Sequence, residues 1–551
     1  MVDICIIGSG AGAGPIAYEL SLAGAKVLIL EKGDFYREED FSKDEIAFSR
    51  RSIISSKLKE EFHLIEDKED GEWVATPTYA SGWDFWNGNL VGGSSNLMSG
   101  FFHRLHPKDF RLKSEFGEIK GANIVDWPIS YEEMEPFYEK TERVVGISGE
   151  VTPFKYLEPR STKDFPYPPT QEHPISKYID KAAKQEGVVA TKTPRAIMSV
   201  AKGKRNPCYY SNYCGSYGCS SGAKSSARAA LLEPALQSGN LEIKTKCFVK
   251  KLHTDENNKI KEVEYIDENG KSQRIKAKTF VLAAQAVESS RLLLNSKSKA
   301  FPNGLSNNSG QVGKNLLFSG GGVVSGHFDE SVIPLDELMS EGLFVNRTIK
   351  DWYFLEGQKG GISEALFEHA NPIVKSNKQK WQDEGLIWGE KLYDKIYEKL
   401  NKNKMLTFEI FNDWLPNDDC FVSVDDGYHD KFDTPVAKIR IGAHPQNVKI
   451  GEKIAKKTVK VLQAMGAKYI TEGISPYPPQ NLQAGGCRFG DDPKTSVLDK
   501  ECRAHEVKNL FVTDGSFMPT GGSVPFTWTI YANSFRVAEV IKKEFNLAKK
   551  S

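Results

Sequence analysis

A glycine-rich segment close to the start of the chain has residue types suited to holding a phosphate group. Residues 4–7 are apolar and lead into Gly8, Gly10 and Ala13, in the pattern G-x-G-x-x-A. Gly8 permits a tight turn, Gly10 lets the backbone approach a pyrophosphate, and the small Ala13 lets a helix pack closely on the strand. Glu31 follows 21 residues after Gly10, where a carboxylate can accept hydrogen bonds from an adenosine ribose. We therefore predict a dinucleotide site made by Gly8, Gly10, Ala11, Gly12, Ala13 and Glu31.

A second group of reactive side chains consists of Cys208, Cys214 and Cys219, three thiols within twelve residues. Their Gly-, Ser- and Tyr-rich surroundings are untypical of a regular helix. Three thiolates on a loop suffice for an iron–sulfur cluster that leaves one corner without a protein ligand, so these cysteines are the predicted metal ligands. Two other interpretations stay open: a disulfide plus a free thiol, which a reducing compartment disfavours, or a structural loop with reduced cysteines.

The elements that must position these groups follow from the hydrophobic pattern. Residues 3–31 have the order strand, glycine turn, helix and second strand, which favours a dinucleotide site over a structural turn but does not distinguish FAD from NAD. Residues 279–294 fit a buried strand followed by a helix, and residues 447–465 fit a surface helix. Residues 407–411 and 421–424 fit short strands around a polar turn.

The composition excludes several classes of protein. With 39% apolar and 26% charged residues, the 551-residue chain is neither disordered nor a coiled coil. Lys+Arg and Asp+Glu both number 73, so no net charge favours nucleic acid, and none is expected as a partner. No window approaches the roughly 18 apolar residues of a membrane helix, and no signal-peptide pattern follows Met1. We predict a cytoplasmic protein without a transmembrane segment of its own, periplasmic or membrane-associated only if a partner subunit carries it.

Four further blocks occur in a fixed order along the chain. They are 87–96 (NGNLVGGSSN), 280–293 (FVLAAQAVESSRLL), 485–497 (GGCRFGDDPKTSV) and 509–516 (NLFVTDGS). Together with the first segment, this set resembles the glucose–methanol–choline oxidoreductase family, and most closely its gluconate- and sugar-dehydrogenase branch. The resemblance covers both ends and the middle of the chain.

The resemblance implies FAD as the cofactor, with the adenine at the first strand–helix–strand unit. The turn at 92–96 is then expected along the flavin, because paired glycines let backbone pass close to a flat ring. The family usually has a glycine where this chain has Gln285. The segment 206–224 is similar to the cluster-binding segment of sugar dehydrogenases, except that its second Cys–Cys gap is four residues where three are expected. The further predicted FAD contacts are Gly92, Gly93, Ser94, Asn96, Val249, Ala284, Asp514 and Gly515.

The resemblance also implies a fold and a domain organisation. The fold class is α/β (α+β overall), with a Rossmann-like FAD-binding domain built on a parallel sheet and interleaved with a substrate-binding domain built on an antiparallel sheet. The FAD-binding domain is predicted to be discontinuous, formed by residues 1–104, 201–320 and 481–551. Residues 105–200 and 321–480 are predicted to form the substrate-binding cap.

The residues that would move a proton depart from the family pattern. Alcohol oxidation by flavin needs a base within hydrogen-bond reach of the hydroxyl. The resemblance implies a histidine shortly before the Cys487–Arg488 block, and a second histidine or asparagine before the final helix. These positions fall on Leu482 and Pro525, neither of which accepts a proton. The predicted catalytic bases are therefore His103 and His106, which follow the flavin loop, and His444, which precedes Pro445. Each of them could reach the flavin from the second domain.

Together these features predict an FAD-dependent dehydrogenase acting on CH–OH groups of a sugar, polyol or sugar acid. Hydride would pass to the flavin, and electrons onward to an acceptor or to a small or electron-accepting partner subunit. Leu482 and Pro525 motivate an alternative, an FAD-binding relative that has lost alcohol oxidation and serves as a lyase, isomerase or electron-transfer subunit. A second alternative is a sugar or aminoglycoside oxidase that uses O2 directly.

Overall fold

A computed structural model describes residues 2–49, 53–55, 59–83, 85, 87–367, 373 and 387–547. Residues 1, 50–52, 56–58, 84, 86 and 548–551 of the predicted FAD-binding domain lie outside the described residues, as do 368–372 and 374–386 of the predicted cap. Strands and helices are numbered below in chain order within the described residues.

A five-stranded sheet with only parallel pairings contains the start of the chain. Its order is β20-β10-β1-β2-β6. Residues 4–7 and 27–30 are fully buried apolar runs, as expected for strands covered on both faces of a parallel sheet. The strands are Val2–Ile7 (β1), Val27–Leu30 (β2), Leu241–Lys244 (β6), Ala277–Leu282 (β10) and Leu510–Val512 (β20).

A six-stranded antiparallel sheet forms the second large layer, in the order β19-β11-β16-β15-β12-β5. One face buries Leu406, Phe408 and Ile410 against Ile450 and Ile454 of a long helix. Because side chains alternate along a strand, the intervening residues of β16 point to the opposite face. The strands are Ala190–Lys192 (β5), Ser319–Phe328 (β11), Arg347–Ile349 (β12), Gly361–Phe367 (β15), Lys404–Asp413 (β16) and Tyr469–Ile474 (β19).

The remaining strands of the described residues form three smaller sheets. A four-stranded sheet joins Leu64–Glu69 (β3) and Glu72–Pro77 (β4) to Cys420–His429 (β17) and Pro435–Ile441 (β18), with β18 parallel to β3. This sheet takes strands from both predicted domains, and the division into domains stays a prediction. The others are a three-stranded sheet and a hairpin: Phe248–Thr254 (β7), Ile260–Ile266 (β8), Ser272–Ile275 (β9), Phe354–Leu355 (β13) and Gln358–Lys359 (β14).

The helices cover the sheets. Within the described residues, no helix is both long and apolar enough to cross a bilayer. The helices are Gly14–Leu22 (α1), Thr78–Ser81 (α2), Leu112–Phe116 (α3), Tyr131–Thr141 (α4), Ser176–Gln185 (α5), Glu233–Leu236 (α6), Ala286–Asn295 (α7), Leu335–Leu338 (α8), Glu390–Asn401 (α9), Pro445–Ala464 (α10) and Thr527–Glu544 (α11).

The fold confirms the main sequence-based expectations. The predicted α/β class with a parallel sheet and separate antiparallel sheets is present. Residues 3–31 form β1, α1 and β2, and residues 279–294 fall in β10 and α7. The helix predicted over 447–465 is α10. Residues 407–411 and 421–424 are both strands, but they belong to different sheets, β16 to the six-stranded sheet and β17 to the four-stranded sheet.

Candidate active site

A cavity of about 800 Å³ lies between the parallel sheet and the antiparallel sheet. Its wall includes residues at the carboxyl ends of four parallel strands: Ile7 of β1, Leu30 of β2, Ala283 after β10 and Asp514 after β20. Ligands of open α/β sheets bind at this edge, because the loops that leave the strands there surround a crevice. From this edge the cavity extends to side chains of β11, β15 and β16 on the antiparallel sheet.

The glycine turn after β1 forms the floor of the cavity. Gly8 has φ +89°, and a Cβ added there would clash with the carbonyl oxygen of Ala283, so only glycine fits this turn. Gly10 lines the cavity and has no heavy atom within 4 Å of the position that a Cβ would take. Ala13 is fully buried under α1 and does not line the cavity. Gly8 therefore forms the turn, Gly10 lines the cavity, and Ala13 allows α1 to pack closely.

Glu31 ends β2 with its carboxylate inside the protein. It accepts hydrogen bonds from the Ser9 hydroxyl at 2.5 Å and the Gly33 amide at 2.8 Å. Burial raises the pKa of Glu31, and these hydrogen bonds oppose the rise. Glu31 lines the cavity at the end of β2, which is the place where a ribose is predicted.

The turn at 92–96 is held in place by its own hydrogen bonds. The Gly92 backbone amide donates to the Ser9 hydroxyl at 3.0 Å, and the Asn96 side-chain amide donates to the carbonyl oxygens of Val91 and Gly93. Gly93 and Ser94 line the cavity, whereas Gly92 and Asn96 lie behind them. The predicted contacts Gly92 and Asn96 thus shape the turn that presents Gly93 and Ser94.

Asp514, which follows β20, joins the end of that strand to the start of α7 at the cavity wall. Its carboxylate accepts hydrogen bonds from the hydroxyls of Ser289 and Ser516, from the Ser516 amide at 2.9 Å and from the Gln285 amide at 3.1 Å. Burial raises the pKa of Asp514, and its hydrogen-bond donors oppose the rise. Asp514, Gly515 and Ala284 all line the cavity, as predicted for cofactor contacts.

Gln285, the residue that replaces the usual glycine, keeps a glycine-like backbone. Its φ is +82°, a value that side chains rarely adopt. Its side-chain oxygen caps α7 by accepting from the Val287 amide at 2.8 Å, and its side-chain nitrogen donates to Gln483 at 2.7 Å. The helix cap and the contact with Gln483 stabilise a conformation that a non-glycine residue otherwise disfavours.

Replacing Gln285 by alanine or by glycine separates the stabilisation by its side-chain hydrogen bonds from the cost of its positive φ. Gln285→Ala is expected to lower the free energy of unfolding by about 1–2 kcal/mol, because it removes the cap and the Gln483 hydrogen bond while the strained φ stays. Gln285→Gly loses the same contacts but relieves the strain, so we expect it to be about 1 kcal/mol more stable than the alanine variant. Urea unfolding of both variants measures the difference. A glycine variant less stable than the alanine variant would contradict the assigned strain.

The far end of the cavity, beside β7 and α7, carries paired charges. His63 Nε2 lies 3.0 Å from Glu288 Oε1, and the Arg291 guanidinium donates to Asp430 at 2.7 Å. Burial alone would raise the pKa of Glu288, but Arg291 and His63 hold it well below its ordinary value. Val249, a predicted FAD contact, lines this end of the cavity.

These features fit FAD. Gly10, Ala11 and Gly12 bring the N-terminus of α1 onto the cavity wall, where helix amides and the helix dipole favour a pyrophosphate. Glu31 lies where the ribose is predicted, and the wall continues past Gly93 towards the antiparallel sheet. A volume of about 800 Å³ lies within the range of cofactor pockets.

The three predicted catalytic histidines occupy other places. Among the described residues that line the cavity, none is His103, His106 or His444. His103 is buried with its Nε2 3.3 Å from Glu364. The His106 ring accepts from the Lys108 amide at the start of a short helix, and the His444 ring accepts from the Gln446 amide at the start of α10. These three rings are therefore not placed to contact a ligand in the cavity.

The positions that replace the family histidines do face the cavity. Leu482 and Pro525 both line it, together with Asn481, Gln483 and Thr527. Leu482 has φ +59°, an unusual value for leucine. None of these side chains ionises near neutral pH, so the site lacks a proton acceptor on this side.

Sequence reasoning missed the residues of the antiparallel sheet that close the cavity. Ser325 of β11 and Thr407, Glu409 and Phe411 of β16 line it. The alternation of residues 407–411 places Thr407, Glu409 and Phe411 on one face of a strand. The sequence alone does not reveal which face of that strand covers the cavity.

The cysteine segment forms a loop that lines the cavity at Gly215 and Ser216, whereas none of its three cysteines lines it. Cys208, Cys214 and Cys219 pack beside Ile197 and Met198, and all eight cysteines of the chain are free thiols. Across the part of the chain that the structure describes, no three His, Cys, Asp or Glu side chains are grouped to hold a metal ion. The predicted iron–sulfur site therefore finds no support, and the disulfide interpretation is wrong. A loop with reduced cysteines fits the structure.

A glycine loop on a parallel sheet, with an antiparallel sheet across the same cavity, defines a dinucleotide-binding α/β enzyme. Family models described as GMC (glucose–methanol–choline) oxidoreductase match residues 76–318 and 416–534, and the chain belongs to this family. It is accordingly an FAD-dependent oxidoreductase that acts on CH–OH groups.

Individual relatives agree with this assignment at low identity. Paromamine 6'-oxidase of Streptomyces fradiae is 28% identical over 98% of this chain and 91% of its own length. The fructose dehydrogenase large subunit of Gluconobacter japonicus is 26% identical over 98% of this chain and 97% of its own length. The crystal structure of pyridoxine 4-oxidase, described as from Mesorbium loti, has a TM-score of 0.61 at 17% identity, covers 98% of this chain and 99% of that chain, and shows the same fold.

Proposed function

We propose that the protein is a dehydrogenase of a sugar, polyol or sugar acid, similar to gluconate dehydrogenase. The observation that carries this proposal is the polar wall that β11 and β16 add to the cofactor cavity, with Ser325, Thr407 and Glu409. Hydroxyl and carboxylate groups there suit a substrate with several hydroxyls, because each substrate hydroxyl buried in the cavity needs a hydrogen-bond partner. FAD bound in this cavity supplies the acceptor for a hydride from the carbon that carries the hydroxyl.

The chain's own residues would bind and orient the substrate. Phe411 and Phe101 provide apolar surface on the cavity wall beside the polar groups. Such a mixture of apolar walls and a few placed polar groups fixes the orientation of a small ligand. Leu482, Pro525 and Phe526, which also line the cavity, would exclude water from it, because their side chains offer water no hydrogen bond.

The electron acceptor is proposed to be a partner subunit or a small oxidant other than O2. A relative's name, fructose dehydrogenase large subunit, supports an assembly with further subunits. Such a partner would also decide whether the protein stays in the cytoplasm.

Steady-state assays with the FAD-loaded protein test the proposal. Gluconate, glucose, fructose and simple polyols are offered with an artificial electron acceptor, and in parallel with O2 alone while hydrogen peroxide is measured. We expect turnover of at least one hydroxylated substrate with the artificial acceptor and little peroxide. Equal rates with O2, accompanied by peroxide, would favour an oxidase, as in the relative named paromamine 6'-oxidase.

A second candidate function rests on Leu482 and Pro525, which put no proton acceptor at the two family positions. It is an FAD-binding relative that no longer oxidises alcohols and acts as a lyase, isomerase or electron-transfer subunit. Absence of turnover with every alcohol and acceptor, while FAD stays bound, would favour this function over the dehydrogenase.

A further inference from the structure

Glu409 stands alone as an ionisable group on one wall of the cavity. Of the described residues that the antiparallel sheet contributes to the wall, Glu409 is the one that titrates; the others are Val323, Ser325, Leu366, Met405, Thr407 and Phe411. It is half-buried, and within the described part of the chain its carboxylate makes no hydrogen bond or ion pair. A carboxylate that opens onto a ligand cavity without a protein partner is free to bond with a ligand.

The other ionisable groups on the cavity wall already have partners. Glu31 is bound by Ser9, and Asp514 is bound by the serines beside it. The remaining charged side chains belong to the end of the cavity near β2, β7 and α7. There the pairs are Lys32 with Glu61, His63 with Glu288, and Arg291 with Asp430, while Lys250 donates to the Phe432 carbonyl oxygen.

A second glutamate lies directly opposite Glu409 in the sheet. Glu364 of β15 pairs with Glu409 of β16 in the antiparallel register, and Val323 of β11 is its neighbour on the other side. Like charges in directly opposed positions repel, so such a pair favours a proton on one of the two carboxyls. Glu364 is fully buried and accepts from the Thr348 hydroxyl at 3.3 Å.

The groups that face this pair determine its proton affinity. Burial and the charge of Glu364 raise the pKa of Glu409 to about 7, and the nearby Arg195 guanidinium opposes the rise. Arg195 is itself held by donating to Asn346 at 2.8 Å and to the Ser99 carbonyl oxygen at 3.0 Å. His103 lies behind Glu364 at 3.3 Å. A carboxyl that titrates near neutral pH is suited to general acid–base catalysis at that pH.

We propose that Glu409 is the catalytic base that takes the hydroxyl proton of the substrate, in place of the absent family histidines. The proposal rests on the proposed function. As the substrate's O–H bond breaks, its proton goes to the Glu409 carboxylate. The C–H bond of the carbon that carries this hydroxyl breaks with both electrons leaving as a hydride, and the C–O bond becomes C=O. FAD held in this cavity would be the two-electron acceptor of that hydride. Glu409 then releases the proton to solvent after the product leaves.

Glu364 and His103 act through Glu409 as positioning residues. Neither lines the cavity, and the His103 Nδ1 atom is buried without a hydrogen-bond partner among the described residues. The contact between His103 and Glu364 fixes the carboxylate that faces Glu409. His103 thus takes a supporting role beside the base instead of the direct role that its sequence position suggested.

The test measures flavin reduction in a single anaerobic turnover with the FAD-loaded protein and its best substrate. Glu409→Gln is expected to slow the limiting rate of reduction by about 100- to 10,000-fold. In the wild type this rate should fall as the pH drops below about 7, since the protonated carboxyl accepts no proton. The residual rate of the glutamine variant should not change over the same range. Glu409→Asp keeps a carboxylate and should retain more activity than Glu409→Gln.

A second readout needs no substrate. Because the pKa of Glu409 is raised from 4.5 to about 7 in the folded protein, the folded state binds this proton more tightly than the unfolded chain. Its contribution to stability is therefore lost as the pH rises through this window. Glu409→Gln removes the effect, so its Tm relative to wild type should rise between about pH 5 and about pH 8. Glu472→Gln, an exposed change on β19 of the same sheet, is the matched control and should alter neither readout.

Each outcome decides the matter. A wild type that reduces its flavin while Glu409→Gln does so equally fast would overturn the inference and leave the proposed function standing. If Glu409→Gln kept the limiting rate of reduction but bound the substrate more weakly, Glu409 would be a binding group, and the inference would also be overturned. A wild type that holds FAD but is reduced by no alcohol would remove the proposed function together with this inference. If Glu409→Gln lost its FAD, the wild-type pH profile and the aspartate variant would decide.

Discussion

Gly10→Leu is expected to give a folded protein that no longer retains FAD. No heavy atom lies within 4 Å of the Cβ position at Gly10, so the backbone tolerates a side chain. The added side chain projects into the cavity beside the N-terminus of α1, where the pyrophosphate is predicted. A steric cost of about 3 kcal/mol corresponds to a loss of about 100-fold in FAD affinity.

The ratio of flavin to protein absorbance after gel filtration measures this loss, and circular dichroism checks the fold. Gly10→Ala adds one methyl group at the same place and should lose much less affinity. Gly8→Ala is a contrasting variant, because its Cβ would meet backbone atoms and should destabilise the fold itself. Unchanged FAD binding by Gly10→Leu would mean that the pyrophosphate does not lie at this turn.

Asp514→Ala is expected to cost both stability and cofactor. The carboxylate accepts from four donors on Ser289, Ser516 and Gln285, and the substitution leaves these donors buried without their acceptor. Each unsatisfied buried donor costs about 1–3 kcal/mol before relaxation, so we expect the free energy of unfolding to fall by about 3 kcal/mol or more. The same change removes a carboxylate from the cavity wall, so FAD affinity should fall as well.

Chemical denaturation of the FAD-free proteins isolates the stability effect from cofactor binding. Ser289→Ala removes one donor to Asp514 and the acceptor of the Ala284 amide, and should cost about 1–2 kcal/mol. An alanine variant at 514 that is as stable as Ser289→Ala would show that this network does not hold the end of β20 against the start of α7.

The cofactor half of the site was predictable from sequence because its constraints are local. The turn at Gly8 and Gly10, the packing of Ala13 and the position of Glu31 all lie within one strand–helix–strand unit. Short-range spacing is enough to define such a unit. The family resemblance also pointed to Leu482 and Pro525, and both line the cavity. Gln285 was recognised as a departure from glycine, but only the structure shows that it keeps a positive φ and caps α7.

The substrate half was not predictable, because it depends on pairings between distant strands. Residues 407–411 and 421–424 look alike as short strands, yet β16 pairs with β11 and β15 while β17 pairs with β18. Strand partners are set by tertiary packing more than by the composition of each strand. Glu409 becomes a candidate base only once the structure shows that Glu364 lies opposite it in the sheet and that Glu409 lines the cavity. The histidines drew attention in the sequence because their ordinary pKa suits a base, but their ring contacts place them elsewhere.

We propose that the protein holds FAD in this cavity and there oxidises the CH–OH group of a small hydroxylated substrate. An anaerobic visible-light titration of the purified FAD-loaded protein with gluconate, glucose, fructose and polyols tests it most directly. We expect at least one of these compounds to bleach the flavin band in proportion to the substrate added. A flavin that dithionite reduces but that none of these compounds bleaches would contradict the claim.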